Sequence, residues 1–245
     1  MTSTPSRKRL ARRPDPDGWT HPDIVVETSG ALACFTRPEL KVERVSYPVM
    51  TPSAARGLLE AIFWKPQFTY VIRRIEVLKE IEWTQLRRNE VKSTISDHQV
   101  RALRADPSHH YDVERDRDQR NTVALRDVAY RIHTQLRVHP DAGAPEAKYR
   151  DQLRRRIVRG ACFSQPFLGC REFSADFGPA TDRSPIPRNE ELGIMLHSIE
   201  YADGGERYRW FRAQLKAGVL TVEEPLPESA VAMPSGPWRA DAGER

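Results

Sequence analysis

Hydrophobic and polar residues alternate along some stretches of the chain and recur at helical spacing along others. From Thr122 to Val138 the alternation is cleanest. Val128, Tyr130, Ile132, Thr134, Leu136 and Val138 share one face, and Asp127, Ala129, Arg131, His133, Gln135 and Arg137 the other. Thr69–Trp83 is β-rich, with Ile75, Val77, Ile81 and Trp83 set against Arg74, Glu76, Glu80 and Glu82, the pattern of a half-buried strand. Asp23–Phe35 predicts a first strand, led by Ile24, Val25 and Val26 and resumed after Gly30. Helical spacing appears at Ala55, Leu58, Leu59 and Ile62, which predicts a helix over 52–64. Thr51 can accept from its first free amides, and Pro52 suits a position that needs no donor. Gly57 costs roughly 1 kcal/mol against alanine inside that helix, which predicts close backbone approach by another element or a partner. A second helix over 146–159 places Tyr149, Leu153 and Ile157 four apart among Arg150, Arg154, Arg155, Arg156 and Arg159.

The intervening stretches complete the order. Residues 82–92 predict a turn back with Arg87, Arg88 and Asn89 near its tip. From Thr94 to Asn121 no period is present, which predicts a long excursion, functional or disordered. Residues 162–177 read as a strand region broken at Gly169, and 192–201 with 208–222 as an appended small sheet. Strand, helix, strand, excursion, strand, helix, strand is a βαββαβ plan. The fold class is therefore α+β, a ferredoxin-like domain over 23–178 with a small C-terminal β-sheet region over 179–224. Residues 1–22 predict a disordered basic arm and 225–245 a flexible tail.

Charge sharpens this picture. The net +5 divides into +1 for residues 1–40, +8 for 41–159 and −4 for 160–245. An arginine-rich centre suits a polyanion, and an acidic end suits a different contact, although charge alone leaves simple solvation equally open. Three widely spaced cysteines, Cys34, Cys162 and Cys170, include no CxxC pair, so zinc is not indicated and buried thiols in a reducing cytoplasm are expected. No apolar run reaches the ~18 residues of a membrane span, and no apolar stretch follows the basic N-terminus as in a signal peptide.

Candidate chemistry narrows to few residues. Asp112, Glu114, Asp116 and Asp118 alternate like a calcium loop, but Arg117 stands where glycine is needed, so a solvated charge run is the better reading. No Walker loop, nucleophile elbow or HExxH motif is present. Tyr47 lies between Lys41, Arg44 and the helix start, in a segment too polar for an ordinary strand. It is either a packed tyrosine or a hydroxyl that stacks on a base or acts on a ribose 2′-OH. Its ordinary pKa of about 10 means that base action needs nearby cations, and Arg115, Arg117, Arg120 and Arg126 are candidates. RNA cleavage through the 2′-OH requires a proton acceptor, a cation on the phosphorane and a donor to the leaving oxygen, with no metal.

Four motifs carry a resemblance. ACFTRPELKVERVSYPVMTPSAARGLLEAIFWKP at 33–66, RRNEV at 87–91, QRNTVALRDVAY at 119–130 and QPFLGCREF at 165–173 resemble the CRISPR-associated family-five protein of subtype I-C, the Dvulg branch of the RAMP superfamily. The likeness covers roughly residues 24–222. It implies a RAMP/RRM-like βαββαβ domain that cuts precursor CRISPR RNA at each repeat without metal or other cofactor. It further implies that the protein stays on the 5′ handle as a cytoplasmic Cascade subunit, beside the backbone and large subunits, meeting target DNA only through the complex. The family's catalytic tyrosine matches Tyr47. Its Lys-His pair falls in the loop that here reads Gln119, Arg120 and Asn121. Arg120 can stabilise phosphate charge but is a poor proton donor, which leaves His110 or water for the acid role. The expected RNA contacts are Lys41, Arg44, Arg56, Arg87, Arg88, Asn89, Arg115, Arg117, Asn121 and Arg126. A handle-capping subunit without cleavage is the alternative.

Overall fold

The computed structural model describes residues 18–40, 42–106, 108, 110–202 and 205–230. Most of the predicted basic arm, Lys41 and most of the predicted tail lie outside these residues. Among the described residues, nine strands form one largely antiparallel sheet in a mixed α/β chain. In chain order the elements are β1 (Ile24–Ala33), β2 (Arg44–Val45), α1 (Pro52–Ile62), β3 (Phe68–Val77), β4 (Glu82–Val91) and α2 (Asp97–Ala105). They continue with β5 (Arg117–Val138), α3 (Glu146–Arg159), β6 (Asp176–Gly178), β7 (Glu190–Ala202), β8 (Gly205–Lys216) and β9 (Val219–Thr221). The sheet runs β6-β1-β5-β3-β9-β8-β7, with β2 and β4 also paired to β5. No helix among the described residues is long and apolar enough to cross a membrane.

Strand β5 organises the rest. Its second half pairs with β1 on one side (Ile24↔Thr134 to Ala33↔Leu125) and with β3 on the other (Phe68↔Val138 to Val77↔Tyr130). Its first half pairs with β4 from Glu82↔Arg126 to Val91↔Arg117. Strands β3 and β4 are thus two segments of one path along β5, interrupted at 78–81, opposite Asp127, whose backbone is left-handed at φ 49. The turn expected over 82–92 is instead a strand, because its residues alternate between an exposed and a half-covered face. The expected excursion is structured as well. It holds α2, capped reciprocally by Ser96 and Gln99, and the opening residues of β5. The region over 162–177 is mostly loop, closing on the short strand β6. The C-terminal strands join the main sheet through the β3–β9 pairing.

Helix α1 begins as its sequence requires, with Thr51 accepting from the Ala54 amide at 3.2 Å. Ala55, Leu58, Leu59 and Ile62 are buried beneath it, and Arg56 meets Glu60 at 3.3 Å. α3 buries Tyr149, Leu153 and Ile157, and also Arg150. That guanidinium donates to Gln135 Oε1 at 2.8 Å, to Glu146 Oε1 at 2.9 Å and to the Pro22 carbonyl. Gln135 in turn donates to the His21 carbonyl and to Asp23. This network, with Arg131 bound to Glu76, Glu27 and the carbonyls of Thr181 and Arg183, covers the polar face of β5 that alternation alone leaves to solvent. Burial of such polar groups is tolerated where hydrogen bonds replace those made to water.

Two glycines respond oppositely to a methyl group. Gly57 is exposed on α1, and a Cβ placed on it would meet nothing within 4 Å, so no described residue makes the close approach expected there. Gly169 has φ +85, and its Cβ would stand 2.0 Å from the Cys34 carbonyl oxygen. Gly57→Ala is expected to raise stability by about 0.5–1 kcal/mol, and Gly169→Ala to lower it by at least about 2 kcal/mol, read as urea midpoints. Burial raises the pKa of Tyr47, Tyr70 and Tyr130 above the usual tyrosine value. Their contribution is fully present below about pH 10 and lost as pH rises through the folded values. Alkaline titration at the phenolate absorbance is expected to leave three tyrosines silent until the chain unfolds. A smooth titration of every tyrosine near pH 10 with the fold intact contradicts this burial.

Candidate active site

The site is built where β2 and the 166–175 loop meet the base of the β4–β5 ribbon. The two residues of β2 run parallel to Thr122 and Val123, and the Ser46 amide donates to the Val123 carbonyl at 2.9 Å. The Tyr47 amide then bonds the Phe35 carbonyl at 2.8 Å, which ties the segment before α1 to the end of β1. Gly169 allows the loop to lie flat on Cys34, and Cys34 N donates to Leu168 O at 3.0 Å. Sequence spacing holds no sign that Cys34 and Cys170 meet, yet both thiols contact Thr36 Oγ1, at 3.5 and 3.8 Å. Cys162, expected to be buried, is exposed because it follows the left-handed Gly160 that ends α3.

Tyr47 is 1% exposed. Its hydroxyl lies against the Leu196 backbone of β7 without a hydrogen bond of ordinary geometry. Desolvation is the main cause of its raised pKa, and Glu39 adds to it. The Arg37 guanidinium, 4.6 Å above the ring, opposes it. Of the two readings of this residue, the geometry is that of a packed, neutral phenol. Arg37 is absent from the residues that sequence reasoning singles out. It sits in the ACFTRPEL motif, but nothing in its spacing shows that the chain folds back over Tyr47.

Arg120 is on the half-covered face of the ribbon, cross-strand from Arg88, and pairs with Asp118 at 3.2 Å. Arg88 meets Glu172 at 2.5 Å and lies 5.2 Å from the Phe173 ring centre. Arg44 shares Glu172 at 3.1 Å and reaches Glu90 at 3.7 Å. Burial acts to raise the Glu172 pKa, but its backbone hydrogen bond and the two arginines outweigh that and hold it low. Glu172 and Phe173, at the end of QPFLGCREF, are the second omission: they fix two arginines at one place.

The other candidates are dispersed. Gln119, Asn121, Arg87, Asn89 and Arg117 occupy the exposed ribbon face. His110 is exposed beyond the ribbon tip. The tip is about six residues along β5 from the β2 pairing, about 20 Å at strand rise, so the structure does not bring His110 to Tyr47. Arg115 pairs with Asp112, Arg126 with Glu82 and Arg56 with Glu60. The arrangement thus holds a shielded phenol under one arginine and, part-way along a polar arm, a basic cluster gathered on Glu172. This suits polyanion binding, and burial keeps the phenol itself protonated.

Known proteins share this plan. The Cas5d family model, described as CRISPR-associated protein (Cas_Cas5), matches residues 23–240. The chain is 45% identical over 206 residues to the CRISPR pre-crRNA endoribonuclease Cas5d of Mannheimia succiniciproducens, covering 79% of this chain and 91% of that protein. It is 45% identical over 181 residues to the protein of the same name from Thermus thermophilus, covering 74% of each. A solved structure described as that of a CRISPR-associated protein superposes with a TM-score of 0.60 at 24% identity, covering 82% of this chain and 92% of that one, which speaks to the fold alone. On the extent of the family match and the identity to both relatives, the chain belongs to the Cas5d family of CRISPR-associated proteins.

Proposed function

We propose that this chain is a metal-independent endoribonuclease that cuts precursor CRISPR RNA at its repeats and stays on the 5′ handle as a subunit of a type I-C Cascade complex. The observation that carries the reading is 45% identity, over most of both chains, to two proteins named CRISPR pre-crRNA endoribonuclease. The order β6-β1-β5-β3 with α1 and α3 supports a ferredoxin-like plan for the core. In the reaction the 2′-hydroxyl loses its proton to solvent water as its oxygen bonds the adjacent phosphorus. The P–O5′ bond breaks, the 5′ oxygen takes a proton from the phenol, which solvent then reprotonates, and a 2′,3′-cyclic phosphate remains. Tyr47 is the proposed catalytic residue, and burial supports it as a neutral donor rather than a phenolate base. For RNA to reach the hydroxyl, both Arg37 over the ring and the β7 backbone at Leu196 must move away from it. Arg120 and Arg88, cross-strand neighbours part-way along the ribbon, are the proposed phosphate contacts. The backbone and large Cascade subunits are the proposed protein partners, with the acidic residues after 160 as a contact surface.

A second reading, a handle cap that does not cut, is favoured by one specific observation: the phenol is covered. Incubation of the purified chain with its own repeat RNA in EDTA separates the two. Cleavage at one position is expected, reduced at least about a hundredfold in Tyr47→Phe with binding retained. Tight binding to RNA that stays intact supports the cap, and cleavage unchanged in Tyr47→Phe removes Tyr47 from the chemistry.

A further inference from the structure

The two faces of the β4–β5 ribbon differ in chemistry. Ten cross-strand pairs make an arm about 34 Å long at strand rise. On the half-covered face lie Glu82, Glu90, Asp118, Arg88, Arg120 and Arg126, and the ion pairs of the ribbon are made there. The opposite face carries no carboxylate. Its centre is Gln85, Arg87 and Asn89 from β4, beside Arg117, Gln119 and Asn121 from β5, all exposed. None of these six side chains has a hydrogen-bond or ion-pair partner among the described residues. Trp83, 47% exposed, stands at the foot of the same face.

Val91 is exposed at the tip of this face, and the face's polar side chains, with Trp83, fit one kind of ligand. Four side-chain amides each offer a donor and an acceptor, the complement of a base edge. Two arginines supply charge for phosphate, and the indole offers a stacking surface. A protein partner would be met by apolar or aromatic anchors at the centre, where this face has amides. The deep, narrow major groove of an A-form duplex does not admit side chains, whereas unpaired bases expose all their edges.

Resting on the reading of this chain as a CRISPR RNA-processing protein, we propose that the carboxylate-free ribbon face reads the bases of a single-stranded RNA segment. Asn89, Asn121, Gln85 and Gln119 specify sequence there, and Arg87 and Arg117 position the backbone. This divides the arginines of RRNEV between two tasks. Arg87 faces the RNA, and Arg88 is turned to Glu172 on the opposite face.

The test is selection from a pool of random 12-nucleotide single-stranded RNAs on the full chain, followed by sequencing of the bound fraction. The wild type is expected to enrich a short motif. The quadruple variant Q85A/N89A/Q119A/N121A is expected to flatten that enrichment, by roughly five- to a hundredfold per base read, with an unchanged melting temperature. R87A/R117A is expected to keep the motif, weaken binding, and reduce the slope of log affinity against log salt by about 0.7 for each phosphate no longer neutralised. The proposal is overturned if the quadruple variant enriches the same motif as the wild type, or if the wild type enriches none. Preference for a blunt RNA or DNA duplex over the pool also overturns it. Repeat cleavage in EDTA is scored separately, so loss of the nuclease reading leaves the enrichment result intact, and the reverse.

Discussion

Strand β5 has to satisfy two environments with one continuous backbone. Over Val128–Leu136 it is the central strand of the sheet, flanked by β1 and β3 and covered on both faces. Over Arg117–Arg126 it is half of an arm with one face open to solvent. The change happens at Asp127, where the left-handed backbone lets the partner path break between Val77 and Glu82 while β5 itself runs on. Everything described at the site depends on that continuity. β2 and the segment leading to Tyr47 are bonded to β5 residues just before the break, and the 166–175 loop is bonded to Cys34 at the end of β1, the strand paired beside them.

The elements legible in the sequence are those whose order is local. Thr51 and Pro52 mark the start of α1, and the four-residue spacing of Tyr149, Leu153 and Ile157 marks α3, because each signal acts within a turn or two of helix. The alternation of 122–138 likewise shows a strand wherever one face is buried. It could not show that the other face is buried as well, since that depends on Arg150 and Arg131 recruiting carbonyls over a hundred and about fifty residues away, respectively. The outer part of the arm escapes such a reading because residues 87–90 and 117–121 are polar on both sides, and a strand with two polar faces has no hydrophobic period to detect.

The site follows the same division. Tyr47, Arg88 and Arg120 are legible as chemistry-bearing residues within motifs, but their environments are tertiary. Arg37 covers the phenol and Glu172 gathers Arg44 and Arg88, and neither relation has a local sequence signature. The two thiols on Thr36 illustrate the same limit from the opposite side. Residues 136 positions apart are brought together because Gly169 lets two backbones touch.

Strand pairing along the arm has a consequence for how this family can vary. Side chains on a ribbon change sides at every residue, so sliding 82–91 by one position against 117–126 would turn Arg88 and Glu90 to solvent and Gln85, Arg87 and Asn89 inward, while the β5 side chains, held by the sheet beyond Asp127, keep their faces. Point substitutions can retune such a surface one position at a time. A one-residue insertion or deletion in either strand instead exchanges that strand's whole set at once, so a change of length alters more of the face than a change of identity.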